Sequence, residues 1–87
     1  GLSSFAYLKN LPVDFLKIDG EFVRGMAAGT VERALVASIN QIGHLLGIRT
    51  IAESVEDADT LAALREIGVD YAQGFGVAPP QPLPAPV

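Results

Sequence analysis

Three short apolar runs constrain the fold of this chain more than any other feature. Each ends on a polar residue: Lys17 after Val13-Asp14-Phe15-Leu16, Glu53 after Ile48-Arg49-Thr50-Ile51-Ala52, and Gln73 after Val69-Asp70-Tyr71-Ala72. Runs of this length and β-branched content read as strands, and the near absence of polar alternation fits strands covered on both faces of a parallel sheet. Between the first two runs, Val31, Leu35, Ile39, Ile42 and Leu46 recur at helical spacing, with Thr30 expected as N-cap and Gly47 ending the helix. Between the last two, Asp57 or Asp59 is expected to cap a helix bearing Leu61, Leu64 and Ile67, which Gly68 terminates. Strand, helix, strand, helix, strand with crossovers of this length makes a parallel sheet.

Outside that core, Ser3 and Ser4 are expected to cap a short helix carrying Phe5, Leu8 and Leu11, stopped by Pro12. Gly20, Gly25 and Gly29 predict a loop with one helical turn around Phe22 and Val23. From Pro79 onward the chain holds five of its six prolines, so an extended, poorly packed tail is expected.

Polar residues at the carboxyl ends of parallel strands are where α/β folds keep their chemistry, because the strand fixes the side chain and the next loop opens onto the ligand. Side chains two apart share a face, so Phe15 and Lys17, Ile51 and Glu53, and Tyr71 and Gln73 point alike within each strand. With neighbouring strands in register, Lys17, Glu53 and Gln73 converge on one rim.

Composition narrows the function classes. A net charge of −4 with six scattered Lys and Arg residues leaves no basic stripe for nucleic acid. The absence of cysteine excludes disulfides and thiolate metal sites and fits a reducing compartment. No apolar stretch approaches the ~20 residues of a membrane span, so a cytoplasmic location is expected. His44, the one histidine, lies in the last turns of the long helix and reads as a surface residue complementing the helix dipole.

Short strings along nearly the whole chain, Gly1 to about Pro82, resemble the C-terminal third of an EAL domain, the bacterial signalling family that hydrolyses cyclic di-GMP. Leu2-Ser3-Ser4-Phe5-Ala6-Tyr7-Leu8 is similar to the Tyr-Ser-Ser-Leu-Ser-Tyr-Leu that follows the family's Asp-Asp-Phe-Gly-Thr-Gly loop. Leu11-Pro12-Val13-Asp14 and Leu16-Lys17-Ile18-Asp19 match next, and Ala52-Glu53-Ser54-Val55-Glu56 is similar to Ala-Glu-Gly-Val-Glu. Asp70-Tyr71-Ala72-Gln73-Gly74-Phe75 resembles Asp-Tyr-Ala-Gln-Gly-Tyr. The resemblance implies an α/β fold, a partial TIM-like β/α barrel comprising its last three parallel strands with intervening helices. Residues 1–82 are then the C-terminal third of the domain and 83–87 a Pro-rich extended tail. Whole barrels of this kind need roughly 250 residues.

The resemblance also implies roles. The parent protein is expected to be a metal-dependent phosphodiesterase converting cyclic di-GMP to linear pGpG, with Mg²⁺ or Mn²⁺ in the complete domain. Lys17 corresponds to a lysine that contacts the attacking water or the phosphate, where its charge stabilises a developing oxyanion. Glu53 corresponds to a general base or a water and metal partner, the one possible metal ligand here, and its structural alternative is an ion pair with Lys17. Gln73 is expected to bind substrate or water, Glu56 to steady the loop or cap the next helix, and Asp19 to cap the turn after the first strand. The Glu-X-Leu motif, the paired Asp and the other metal ligands are not in this sequence, so no complete metal site and no tight metal binding are expected. The chain alone is expected to be inactive and, with two open sheet edges, to self-associate. A second reading is a degenerate domain that binds cyclic di-GMP, or a protein, without hydrolysis. Two departures bear on it: Ser54 stands where the family has glycine, a strain if that glycine uses a conformation only it tolerates, and Val77-Ala78-Pro79 replaces the commoner Phe-Ser-Lys.

Overall fold

A computed structural model describes residues 15–74 and 79–84. The expected first helix, the start of the first strand and the Val77-Ala78 departure lie outside those residues. The described chain runs β1 (Phe15–Ile18), α1 (Gly20–Gly25), α2 (Thr30–Leu45), β2 (Arg49–Ala52), α3 (Ala58–Ile67), β3 (Tyr71–Ala72) and β4 (Gln81–Pro82). One sheet of order β1-β2-β3-β4 results, with β1, β2 and β3 parallel as the sequence predicts.

The helices cover one face of that sheet. Val36, Asn40 and Gly43 form the buried stripe of α2. A Cβ on Gly43 would sit 3.0 Å from Thr50 Cγ2 and 3.3 Å from Leu16 Cδ2, so the missing side chain lets α2 lie close on β1 and β2. Ile18, Val23, Met26, Val36, Ala52, Leu64 and Val69 make the core beneath, and Leu64 and Val23 are fully excluded from solvent. Each such aliphatic side chain contributes about 1.5–3 kcal/mol by burial.

The helix ends show local chemistry at work. Asp57 caps α3, its carboxylate accepting the Thr60 amide at 2.7 Å, and that bond holds the carboxyl below its ordinary value. Gly68 closes the helix in the left-handed region at φ 95°, as expected of a glycine stop. At the start of α2 the expected cap is displaced by one residue: Gly29 occupies the cap position and Thr30 is already helical. Gly29 is extended there, makes no side-chain cap, and has the Glu32 carboxylate folded back over it. The helical turn expected around Phe22 and Val23 is present and extends to the six-residue helix α1, capped as expected by Asp19 through the Glu21 amide at 2.8 Å.

The proline-rich tail is better packed than the sequence predicts. Gln81–Pro82 pairs antiparallel with Tyr71–Ala72, Leu83 donates its amide to the Asp70 carbonyl at 2.8 Å, and the Leu83 side chain packs against the core. An edge strand tolerates proline because its outward groups need no N–H partner. The β3 edge is therefore covered, and the two edges of the sheet among the described residues are β1 and the two-residue β4.

A polar network ties the amino-terminal ends of β2 and β3 to α2. Buried Thr50 gives its hydroxyl proton to Asn40 Oδ1 at 2.5 Å, and Asn40 Nδ2 donates to the Ile67 carbonyl at 3.2 Å. Asp70 Oδ2 accepts the Thr50 amide at 2.8 Å and meets His44 Nε2 at 2.7 Å. His44 is thus at the surface, as expected, but tied to β3. Asp70 lies between His44 and Thr50, so the three do not form a nucleophile relay, which needs the histidine in the middle. Burial alone would raise the Asp70 carboxyl, but the Thr50 amide, His44 and the Thr50 hydroxyl together hold it below the usual carboxylate value.

A depressed folded-state pKa contributes stability above the unfolded value of about 3.9 and loses it as pH falls through the lower folded value. Asp70→Ala is expected to cost about 1–3 kcal/mol at pH 7, because the Thr50 amide loses its acceptor. Thermal melts from pH 7 to pH 2 check this, since the variant's deficit should shrink below about pH 4 as the wild-type carboxylate becomes protonated.

Candidate functional site

The strand register decides which side chains share the rim. Pairing of Phe15 with Arg49, Lys17 with Ile51, and Ile51 with Tyr71 puts Lys17, Ile51 and Tyr71 in one row across the sheet. The ladder continues past the strand ends: the Glu53 amide donates to the Ile18 carbonyl at 3.1 Å and the Gln73 amide to the Ala52 carbonyl at 2.9 Å. The next row is accordingly Asp19, Glu53 and Gln73. Lys17 stands one side-chain repeat lower, about 6–7 Å along the strand, a distance its flexible stem can span.

These rows occupy the face opposite α2, which in a β/α barrel is the interior. Leu16 and Thr50 point to the helix, whereas Phe15, Lys17, Arg49, Ile51 and Tyr71 point away from it. Phe15, 46% exposed, meets the Tyr71 ring edge-on with centroids 5.6 Å apart, and Arg49 Nη1 donates to the Tyr71 hydroxyl at 3.4 Å. Ile51 is buried at 5% beneath these larger neighbours.

Each candidate residue has a distinct setting. Lys17 is exposed, and Glu53 and Gln73 are half-buried. Lys17 and Glu53 do not form an ion pair; the pairs among the described residues are Arg33 with Glu66 and His44 with Asp70. Glu53 is only half-buried, so it does not carry the full cost of a buried lone polar group. Asp19 reaches the rim row by its backbone, but its carboxylate is turned to the α1 amide. Glu56 is exposed and does not cap α3, a role taken by Asp57. It lines a shallow pocket of about 180 Å³ with Arg24, Ser54, Asp57 and Thr60.

The turn between Glu53 and Val55 is set by Ser54, which adopts φ 59°, the left-handed region that favours glycine. That turn aims the Val55 amide at the Gln73 carbonyl, 3.0 Å away, so the Gln73 backbone is tied to Ala52 before Glu53 and to Val55 after it. Ser54 of this chain thus stands in a backbone conformation that glycine tolerates and serine adopts only under strain.

Among the described residues no group of three or more His, Cys, Asp or Glu side chains could hold a metal ion. Glu53 could supply one ligand, but the donors gathered here do not make a divalent-cation site by themselves. No helix among the described residues is long and apolar enough to cross a membrane.

Comparison with known proteins agrees with the geometry. The model of the EAL domain family matches residues 1–80. The chain is 45% identical over 83 residues to the cyclic di-GMP phosphodiesterase PdeB of Shewanella oneidensis, and 39% identical over 83 residues to the cyclic di-GMP phosphodiesterase PdeF of Escherichia coli. Each match covers 95% of this chain but only 10% and 11% of the relative, so the chain spans about a tenth of those proteins. Among solved structures, the EAL domain of Xanthomonas citri FimX in complex with cyclic di-GMP superposes with a TM-score of 0.70 at 36% identity, covering 95% of this chain and 33% of that one. The rows of strand-end residues therefore sit on part of a TIM-like barrel, and the chain belongs to the EAL domain family.

Proposed function

We propose that the protein carrying this chain is a cyclic di-GMP phosphodiesterase and that Lys17, Glu53 and Gln73 form part of its active-site wall. The observation that carries this reading is the cross-tied pair of strand ends that sets Glu53 beside Gln73, one row above Lys17, on the face a barrel turns inward. The names of the relatives supply the substrate class.

In this reading water adds to one phosphorus of cyclic di-GMP, the bond from that phosphorus to the 3′ oxygen breaks, and the 3′ oxygen takes up a proton to leave linear pGpG. Glu53, half-exposed on the rim, accepts the proton of the attacking water. Lys17 extends along the wall toward the phosphate and offsets its growing negative charge. Gln73 orients water or ligand through its amide. In the complete domain this reading includes dependence on Mg²⁺ or Mn²⁺, which would neutralise charge on the phosphate.

Glu53→Gln in the full-length protein is expected to lower turnover of cyclic di-GMP about 10²–10⁴-fold, the usual worth of a general base. Its melting should shift by no more than about 0.5 kcal/mol, since Glu53 has no ion pair among the described residues. Unchanged turnover would remove Glu53 from the role; ligand binding by a wild-type protein that never hydrolyses would favour a receptor instead.

Alone, this chain is expected to be inactive and to self-associate, because the β1 edge is unpaired among the described residues and the inward face exposes Phe15. Light scattering on the purified 87-residue chain tests this. A monodisperse monomer that hydrolyses cyclic di-GMP would contradict both halves of the expectation.

A further inference from the structure

We propose that Gly20 and Ser54 form a coupled pair that fixes the spacing between the β1 and β2 rim ends, making Ser54 a positioning residue for Glu53. The inference rests on the role assigned to Glu53 above, and concerns what holds that carboxylate in place.

Ser54 combines two features that seldom occur together: a left-handed backbone and a side chain pressed against another loop. Its φ of 59° turns its Cβ toward the first residue of α1. A Cβ added to Gly20 would overlap Ser54 Oγ and lie 2.9 Å from Ser54 Cβ. The hydroxyl could rotate away, but the Cβ cannot, because it is fixed by the backbone. Arg24 Nη1 would lie 3.0 Å from the same position, but it is the end of a flexible side chain that can swing aside, so the fixed wall of the notch over Gly20 is the Ser54 Cβ. Gly20 is itself buried, which leaves no outward path for an added methyl group.

The consequence for the rim follows from chain continuity. Gly20 follows Asp19, and Ser54 follows Glu53, so their contact is one residue beyond the rim row. The β1–β2 ladder ends at the bond from the Glu53 amide to the Ile18 carbonyl, and the Gly20–Ser54 contact continues the joint where that ladder stops. On the other side, the turn at Ser54 sends Val55 to the Gln73 carbonyl. Glu53 is therefore held from both neighbouring strands through the residue after it. The arrangement accommodates a Cβ at position 54 or at position 20, but not at both.

This exclusion gives the substitutions opposite signs in two backgrounds. At the first position of a helix alanine is ordinarily favoured over glycine. Gly20→Ala should nevertheless lower the melting temperature of the full-length protein by about 4 °C and its turnover of cyclic di-GMP about tenfold or more, because Ser54 must move and carry Glu53 with it. In the Ser54→Gly background the same Gly20→Ala change should be neutral or stabilising, and the double variant should recover turnover to within about threefold of Ser54→Gly alone. Activity and melting of the wild type, both single variants and the double variant complete the cycle. Gly20→Ala as active and stable as the wild type would overturn the proposal, as would a double variant no better than Gly20→Ala. Should the wild type hydrolyse no cyclic di-GMP, the phosphodiesterase reading fails separately, and the melting and cyclic di-GMP affinity of the four proteins still decide whether the pair is coupled.

Discussion

The parallel register of β1, β2 and β3 is the constraint on which the rest of this structure depends. A slip of one residue in β2 would send Glu53 to the helix-covered face and Thr50 to the inward face, because side chains alternate with a period of two. Two features prevent it. Gly43 of α2 accepts Thr50 and Leu16 at close range, so only a small side chain on the helix and this pair on the sheet fit together. Asp70 reads the same register from β3, accepting the Thr50 amide and meeting the hydroxyl from a single carboxylate. Rim geometry at the carboxyl ends is thus determined at the opposite ends of the strands.

That dependence explains which parts of the molecule were legible in the sequence. The strands, both long helices and the glycine stop at Gly68 follow from periodicity and local chemistry, and they stand close to where the residues predict them. Convergence of Glu53 and Gln73 was legible because both end their runs at the same parity. The lower placement of Lys17 was not, since it depends on pairing Lys17 with Ile51, a tertiary fact that no single strand carries. The network of Asn40, Thr50, His44 and Asp70 was hidden for a similar reason. Its members lie up to 30 positions apart, and each alone reads as an ordinary polar residue. The β4 strand was concealed by composition: prolines argue against sheet, yet an edge position exempts them from the ladder.

The two ends of the sheet solve opposite physical problems. At the amino-terminal end, buried polar groups are hydrogen-bonded to one another and no buried polar side-chain atom is left without a partner among the described residues. Such a network stabilises only when complete, which is why one lost acceptor there is felt by the whole sheet. At the carboxyl end, Lys17 and Glu53 stay apart and in contact with solvent, contributing little to stability.

A residue that contributes little to its own placement must be placed by others. Glu53 has no ion pair among the described residues to orient it, yet it is held between two strands by backbone bonds and by the side chain that follows it. Serine in a left-handed conformation costs of order 1 kcal/mol, and the chain retains that cost at the one turn adjoining its rim carboxylate. Strain of this kind persists only where surrounding contacts over-determine it. Here those contacts are the notch over Gly20 on one side and the Gln73 carbonyl on the other, so the strained residue and the rim it supports are parts of a single arrangement.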